Sequence, residues 1–107
     1  LIKLPGGGLE FGEGTIECLH REFEEELNLK IEVLEHFYTQ EDFLVSRFRE
    51  NEQLLTIYYT VNILNLEDLN ILDDSIENVK WISLHEENPL PLPIDKIVFE
   101  KLKEKLF

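Results

Sequence analysis

The chain is 107 residues long, a length typical of one domain over residues 1–107. Hydrophobic residues make up 43% and charged residues 31%, as in a globular protein with a core rather than a disordered segment. The 23 acidic and 10 basic side chains give a net charge of −13, which disfavours non-specific binding to nucleic-acid phosphates. So acidic a chain would hold an anionic ligand only if cations mediated the contact.

Membrane and secretory features are not expected from the sequence. The apolar stretches are of strand length, well below the ~18 residues that a membrane span needs. The start of the chain shows no signal-peptide pattern. The single cysteine, Cys18, excludes an intrachain disulfide and suits a reducing compartment. We therefore expect a cytoplasmic protein with no membrane partner and no nucleic-acid partner.

The first predicted feature is a glycine-rich loop. All five glycines lie between Lys3 and Gly14, a density that predicts unusual backbone dihedrals or a close approach of the backbone to another group. The residues before the loop, 1–4, are expected to end a strand.

A helix is predicted from Thr15, which is the expected N-cap. Asn28 is expected to end this helix, because Asn tolerates the left-handed conformation that follows a helix C-terminus. The predicted apolar stripe has helical spacing and consists of Ile16, Leu19, Phe23 and Leu27.

Alternating apolar and polar residues predict strands after this helix. One is expected over residues 31–38, with a continuation over 43–48 after a bend at 40–42. Residues 49–52 are typical of a hairpin turn, and the clearest strand follows over 55–63.

The last third of the chain predicts one more strand and a second helix. The short strand covers residues 79–84 and contains the only tryptophan, Trp81. Three alternating prolines over residues 89–93 predict an extended connector. The apolar face of the final helix consists of Ile94, Ile97, Val98, Leu102 and Leu106. The pattern as a whole is that of an α/β protein.

Three carboxylates share one flank of the first predicted helix. With about 100° per residue, Glu22, Glu25 and Glu26 lie beside the apolar stripe. A charge run is usually a solvated face, but Glu22 and Glu26 form a like-charged i, i+4 pair that destabilises a bare helix. Carboxylates clustered against an apolar wall suit a hard cation such as Mg²⁺ or Mn²⁺. From the residues alone, metal binding and a plain acidic helix are about equally supported.

The segment from Gly7 to Leu29 resembles the box of the Nudix hydrolase family. The family pattern is Gly, five residues, Glu, seven residues, and then Arg-Glu-apolar-any-Glu-Glu-any-Gly-apolar; here Gly7, Glu13 and the run from Arg21 fill it. The last glycine of the pattern is replaced by Asn28, which tolerates the same left-handed conformation. A motif this long and gapped is far more specific than a lone glycine pattern.

The resemblance implies a fold and a reaction. The fold is a Nudix-like α/β/α sandwich around a mixed central β-sheet. Nudix domains usually carry one or two strands before the glycine loop. Because the chain begins at Leu1 and contains no methionine, we expect an N-terminal segment to precede it. The implied reaction is Mg²⁺-dependent (or Mn²⁺-dependent) hydrolysis of a nucleoside diphosphate linked to another moiety.

The resemblance also assigns roles by position. The metal would be held by Glu22, Glu26, Glu25 (directly or through water) and the carbonyl of Gly6. Arg21 would orient the carboxylates, and Glu13 would connect the loop to the helix, as outer partners do in metal sites. The predicted catalytic residues are therefore Glu25, Glu22, Arg21 and Glu13.

Several positions outside the box stay open. Nudix enzymes often use a further acid at a position that is Ser75 here, so the candidates for that acid and for the general base are Glu41, Asp42, Asp74 and Glu77. Arg47 and Arg49 are candidates for gripping a substrate phosphate, with surface solubility an equal alternative. Tyr58 is a candidate for stacking on a base, although most aromatic residues at strand spacing belong to the core.

Two functions are compatible with this pattern. The first is a Nudix diphosphohydrolase acting on a nucleotide-type small molecule. The second is a Nudix-fold domain that senses a nucleotide or binds a protein without hydrolysis. The intact set of acids in the box favours the enzyme, because a site that has lost its activity does not need mutually repelling carboxylates. The substrate class and a homodimer are both left open.

Overall fold

The computed structural model describes residues 2–43 and 51–107. Its elements in chain order are helix α1 (Thr15–Leu27), strand β1 (Ile31–Thr39), strand β2 (Ile57–Ile63), a 3₁₀ turn (Leu66–Asp68) and helix α2 (Pro93–Leu106). The predicted α/β class is confirmed. Within the described residues the sheet consists of the antiparallel pair β1 and β2, so the mixed sheet and the three-layered sandwich stay predictions.

The N-terminus of α1 differs from its prediction in two details. Gly14 is the N-cap and Thr15 is the first helical residue, so the expected Thr15 cap is wrong. The reason is tertiary, since the Thr15 hydroxyl lies 2.7 Å from the hydroxyl of Tyr59 on β2. Ile16 is 47% exposed, whereas Cys18 is buried beside the stripe.

The C-terminus of α1 confirms the prediction for Asn28. Its φ and ψ are 57° and 35°, the left-handed region. The amide of Asn28 donates to the Glu24 carbonyl and that of Leu29 to the Phe23 carbonyl, which satisfies the last turn as a Schellman motif. This turn folds the chain back so that β1 starts next to the buried face of α1.

The core lies between the C-terminal half of α1 and the start of β1. Its buried residues are Phe23, Leu27, Leu29 and Ile31. Partly buried side chains that pack against them are Leu19, Val33, Val61, Ile63, Ile71, Ile76 and Val79. The cluster therefore anchors the C-terminal half of the glycine loop–helix unit to both strands.

The two strands pair from Ile31 opposite Ile63 to Thr39 opposite Ile57, with register shifts at two points along β1. Leu55, expected in the second strand, precedes β2. The predicted strand continuation over 43–48 and the hairpin turn over 49–52 lie mostly outside the described residues.

Two strand predictions are wrong. Residues 2–4 and 79–84 form no strand in the described structure. A strand needs a hydrogen-bonded neighbour, and within the described ranges neither segment has one. Trp81 is 73% exposed, although Val79 in the same segment packs against the core cluster.

The second helix confirms its prediction. Leu92 is the extended N-cap, and Pro93 takes the first turn, where a missing N–H costs nothing. The buried side chains of α2 are Asp95, Val98 and Phe99. Of the predicted stripe, Ile97 and Leu106 are exposed.

The C-terminal end of α2 is tied to β1. Lys105 donates to the Glu35 carboxylate at 2.5 Å and so lowers the pKa of that carboxyl. Lys101 lies over the ring of Tyr38. A search of the described helices for one long and apolar enough to cross a membrane finds none.

Candidate active site

The glycine loop lies directly against the Glu22 carboxylate on α1. A Cβ atom built on Gly7 would fall on that carboxylate, whereas one built on Gly8 would meet nothing within 4 Å. Gly6 has a φ of 150°, a backbone conformation that residues other than glycine rarely adopt. The backbone at Gly7 therefore approaches a buried acid as closely as only glycine permits.

Arg21 joins the loop to the helix through Glu13. Its Nε donates to one carboxylate oxygen of Glu13 at 3.0 Å, and its Nη2 to the other at 2.7 Å. Glu13 also accepts the amide of Glu10 at 2.9 Å. The guanidinium hydrogen bonds, followed by this amide, lower the pKa of Glu13 to about 2. A bidentate pair of this kind fixes direction as well as distance.

The same guanidinium reaches further carboxylates. Its Nη1 lies 2.9 Å from an oxygen of Glu22 and 3.2 Å from one of Glu25, and its Nη2 donates to the Gly8 carbonyl at 3.0 Å. Glu25 is thus held by Arg21, and its side chain is 63% exposed. The contact between Arg21 and Glu25 is an i, i+4 pair on α1.

Cys18 fills the space beneath the loop. Its thiol donates to the Gly8 carbonyl at 3.6 Å, and Nη2 of Arg21 lies 3.7 Å from its sulfur. Burial raises the pKa of this thiol. The cysteine therefore packs as a small neutral group rather than as a nucleophile.

Glu26 lies in the opposite electrostatic environment. Its pKa is raised to about 7, first by burial, then by a hydrogen bond with Glu22 and by that group's charge, with Asp73 adding to the effect. The positive charge of Lys3 opposes the shift but does not cancel it. Glu26 therefore lies beside Glu22 at the edge of the core, where burial and neighbouring negative charge disfavour its ionised form.

Asp73 is an acid near Glu26 that the sequence pattern does not single out. The amide of Leu72 donates to the Glu26 carbonyl at 2.8 Å, and that of Asn70 to the Leu27 carbonyl at 3.0 Å. These bonds hold the loop onto the end of α1 and bring the next residue, Asp73, close enough to influence Glu26. The sequence signal is the Asp-x-Ser spacing, since the amide and hydroxyl of Ser75 both donate to Asp73.

The predicted metal ligands are partly brought together. Within residues 2–43 and 51–107, no three His, Cys, Asp or Glu side chains already stand as a ligand cluster. Glu22 and Glu26 do meet, whereas Glu25 turns to Arg21. The two neighbouring carboxylates offer hard oxygen donors and a negative charge that Arg21 compensates only in part, and this donor set fits Mg²⁺ or Mn²⁺.

The remaining predicted residues lie elsewhere. Arg47 and Arg49 are outside the described residues. The Tyr58 hydroxyl donates to Asp95 on α2 at 2.7 Å, and burial followed by this contact raises its pKa. The four candidates for the additional acid are all exposed: Glu41, Asp42, Asp74 and Glu77.

Comparison with known proteins agrees with this geometry. The family model described as the NUDIX domain matches residues 1–102. The chain therefore belongs to the Nudix family, as its glycine loop and acidic helix predict.

One curated relative is the nucleoside triphosphatase NudI of Enterobacter sp. (strain 638), which is 28% identical over 93 residues. The match covers 83% of this chain and 66% of the relative, so the chain spans just under two thirds of that protein's length. Family and relative together support hydrolase activity in general terms.

Proposed function

We propose that this chain is a Mg²⁺-dependent diphosphohydrolase, which hydrolyses a nucleoside diphosphate linked to another moiety. The observation that carries the proposal is the Glu22–Glu26 pair, two carboxylates held together beside the glycine loop. A nucleotide substrate is supported by the relative, which is a nucleoside triphosphatase.

In this proposal the ion is held by Glu22 and Glu26, with the Gly6 carbonyl beside them. Asp73 would contribute negative charge from the loop that follows the 3₁₀ turn. Glu25 would contact the ion through water. Bound Mg²⁺ neutralises the diphosphate and lowers the pKa of coordinated water. Arg21, Glu13 and the close approach of Gly7 fix the direction of the Glu22 carboxylate.

The proposal also accounts for the net charge of −13. A diphosphate is repelled by carboxylates, but a divalent cation held by them would reverse the local sign. The carboxylates of α1 would then hold the metal, and through it the site would bind the anionic substrate. Asp73 is the proposed acid outside the box, in place of the four exposed candidates.

The test is a panel of nucleoside triphosphates, nucleotide sugars, ADP-ribose and dinucleotide polyphosphates, with release of phosphate or nucleoside monophosphate measured in Mg²⁺ and in EDTA. We expect Mg²⁺-dependent turnover of at least one class. Glu26→Gln should reduce it by more than about 100-fold, because a ligand contributes at least as much as its outer partners. Its circular dichroism spectrum should stay unchanged.

The matched control is Glu24→Gln, which removes an exposed carboxylate from the same helix and should leave turnover unchanged. Near wild-type activity of Glu26→Gln would overturn the proposed site. Binding of nucleotides without turnover of any of them would favour the non-catalytic sensor.

A further inference from the structure

A second buried acid, Asp95, lies outside the Nudix box. It is 5% exposed and occupies the first turn of α2. One of its oxygens accepts the Tyr58 hydroxyl at 2.7 Å, and the other accepts the backbone amide of Leu4 at 3.3 Å. One carboxylate thus joins α2, β2 and the segment that enters the glycine loop.

Burying a carboxylate is unfavourable unless hydrogen bonds and positive potential compensate for lost hydration. Here the two donors compensate in part, and the N-terminus of α2 adds favourable potential. An apolar residue at this position would avoid the cost but could accept neither bond. The acceptor function of Asp95 is therefore the feature that needs an explanation.

The bond to Leu4 is important because few others hold this segment. In the described part of the chain, the Leu4 amide makes the one hydrogen bond that links the backbone of residues 2–6 to another element. Two residues later Gly6 takes its unusual φ, and Gly7 then lies against Glu22. The direction in which the chain enters the loop is thus set at Leu4.

We propose that Asp95 is a positioning residue for the proposed metal site: by holding the Leu4 amide, it keeps the loop backbone in the path that brings Gly7 against Glu22. This inference rests on the proposed function and extends it to a helix outside the Nudix box. It differs from a purely structural role, in which Asp95 would only connect α2 to β2 through Tyr58.

Three variants separate the two roles. Asp95→Leu removes both bonds, and Tyr58→Phe removes only the bond between β2 and α2. Asp95→Asn retains both, because its carbonyl accepts the Leu4 amide while its NH₂ donates to the Tyr58 oxygen. The conservative variant is therefore a rescue of Asp95→Leu without the negative charge.

The main measurement is Mg²⁺ binding by calorimetry, repeated with Mn²⁺ by electron paramagnetic resonance. We expect Asp95→Leu to weaken metal affinity by about 10-fold or more, the range for outer partners of a metal site. Asp95→Asn should bind like wild type. Tyr58→Phe should unfold at a lower urea concentration but keep its metal affinity.

Amide exchange followed by NMR is the second measurement. The Leu4 amide should be protected in wild type and in Asp95→Asn, and unprotected in Asp95→Leu. If Asp95→Leu fails to fold, the test moves to the donor: Leu4→Pro removes the amide, whereas Leu4→Ala keeps it and loses only the side chain. Leu4→Pro alone should then weaken Mg²⁺ binding.

Wild-type metal affinity in Asp95→Leu, or in Leu4→Pro when the former does not fold, would overturn the inference. An equal loss of affinity in Tyr58→Phe and Asp95→Leu would overturn it too, since Asp95 would then act through Tyr58. If wild type binds no Mg²⁺, the proposed function fails, and exchange at Gly7 decides the positioning role separately: faster exchange in Asp95→Leu alone supports it, and unchanged exchange refutes it.

Discussion

Glu13 and Glu26 are both glutamates of the unit formed by the glycine loop and α1, yet their pKa values shift in opposite directions. Glu13 accepts two hydrogen bonds from Arg21, and its pKa falls to about 2. Glu26 lies against the core beside Glu22, and its pKa rises to about 7. The motif thus holds its acids in two environments: Glu13 is paired with a resident guanidinium, whereas Glu26 lies beside another carboxylate, as the proposed metal site would require.

Glu22 lies between the Arg21–Glu13 pair and Glu26. It touches Arg21 on one side and Glu26 on the other, while Gly7 limits its space from the loop. A substitution at Arg21 or at Gly7 should therefore alter the proposed metal site. The contrast between Glu13 and Glu26 can be tested in this way.

Among changes outside the Glu22–Glu26 pair, the largest effect is expected from Arg21→Met, which removes the cation and keeps an unbranched apolar side chain. Glu13, Glu22 and Glu25 then lose their shared partner, so we expect turnover to fall by about 100-fold and the urea midpoint to decrease. Lys30→Met, which removes an exposed cation just after α1, serves as the control and should change neither quantity. An unchanged rate in Arg21→Met would show that Arg21 does not orient the carboxylates of Glu22 and Glu26.

A smaller effect is expected from Gly7→Ala. Its new methyl group would displace the Glu22 carboxylate, so we expect about a 10-fold loss of Mg²⁺-dependent turnover. Stability should change little, because the end of a flexible side chain can rotate away. The matched control is Gly8→Ala, whose methyl group meets open space. Equal losses in the two variants would mean that loop flexibility, rather than the approach to Glu22, is responsible.

The smallest effect is expected for the pH dependence of stability, which involves only the pair of Glu13 with Arg21. Because folding lowers the pKa of Glu13 from 4.5 to about 2, its contribution to stability is fully present above about pH 4.5 and is lost as the pH falls toward 2. The urea midpoint of wild type should exceed that of Glu13→Gln at pH 7, and the gap should close between pH 4.5 and 2. A gap that persists at pH 2 would show that the charge of Glu13 is not what stabilises the fold.

Much of the loop–helix unit could be predicted because its determinants are local. The extent of α1 follows from periodicity, and its end follows from the tolerance of Asn28 for a left-handed conformation. The spacing of Gly7, Glu13 and Arg21 also identified the family correctly. These features depend on residues that are neighbours in the sequence or one helical turn apart.

The predictions that were wrong concern partners far away in the sequence. Thr15 was expected to cap α1, but its hydroxyl pairs with Tyr59 on β2. Residues 79–84 have strand-like alternation but no strand to pair with in the described structure. Local pattern cannot supply a partner that the tertiary structure places elsewhere.

By itself, the sequence determined the family, the two helices and the first strand, because spacing along the chain encodes them. The tertiary structure alone decided that Asp73 acts on Glu26 and that Asp95 holds Leu4, 91 positions away. It also decided that Glu25 turns to Arg21 while Glu22 meets Glu26. The reason is physical: the pKa and partners of a carboxylate depend on burial and on neighbouring charges, and packing between distant segments sets both.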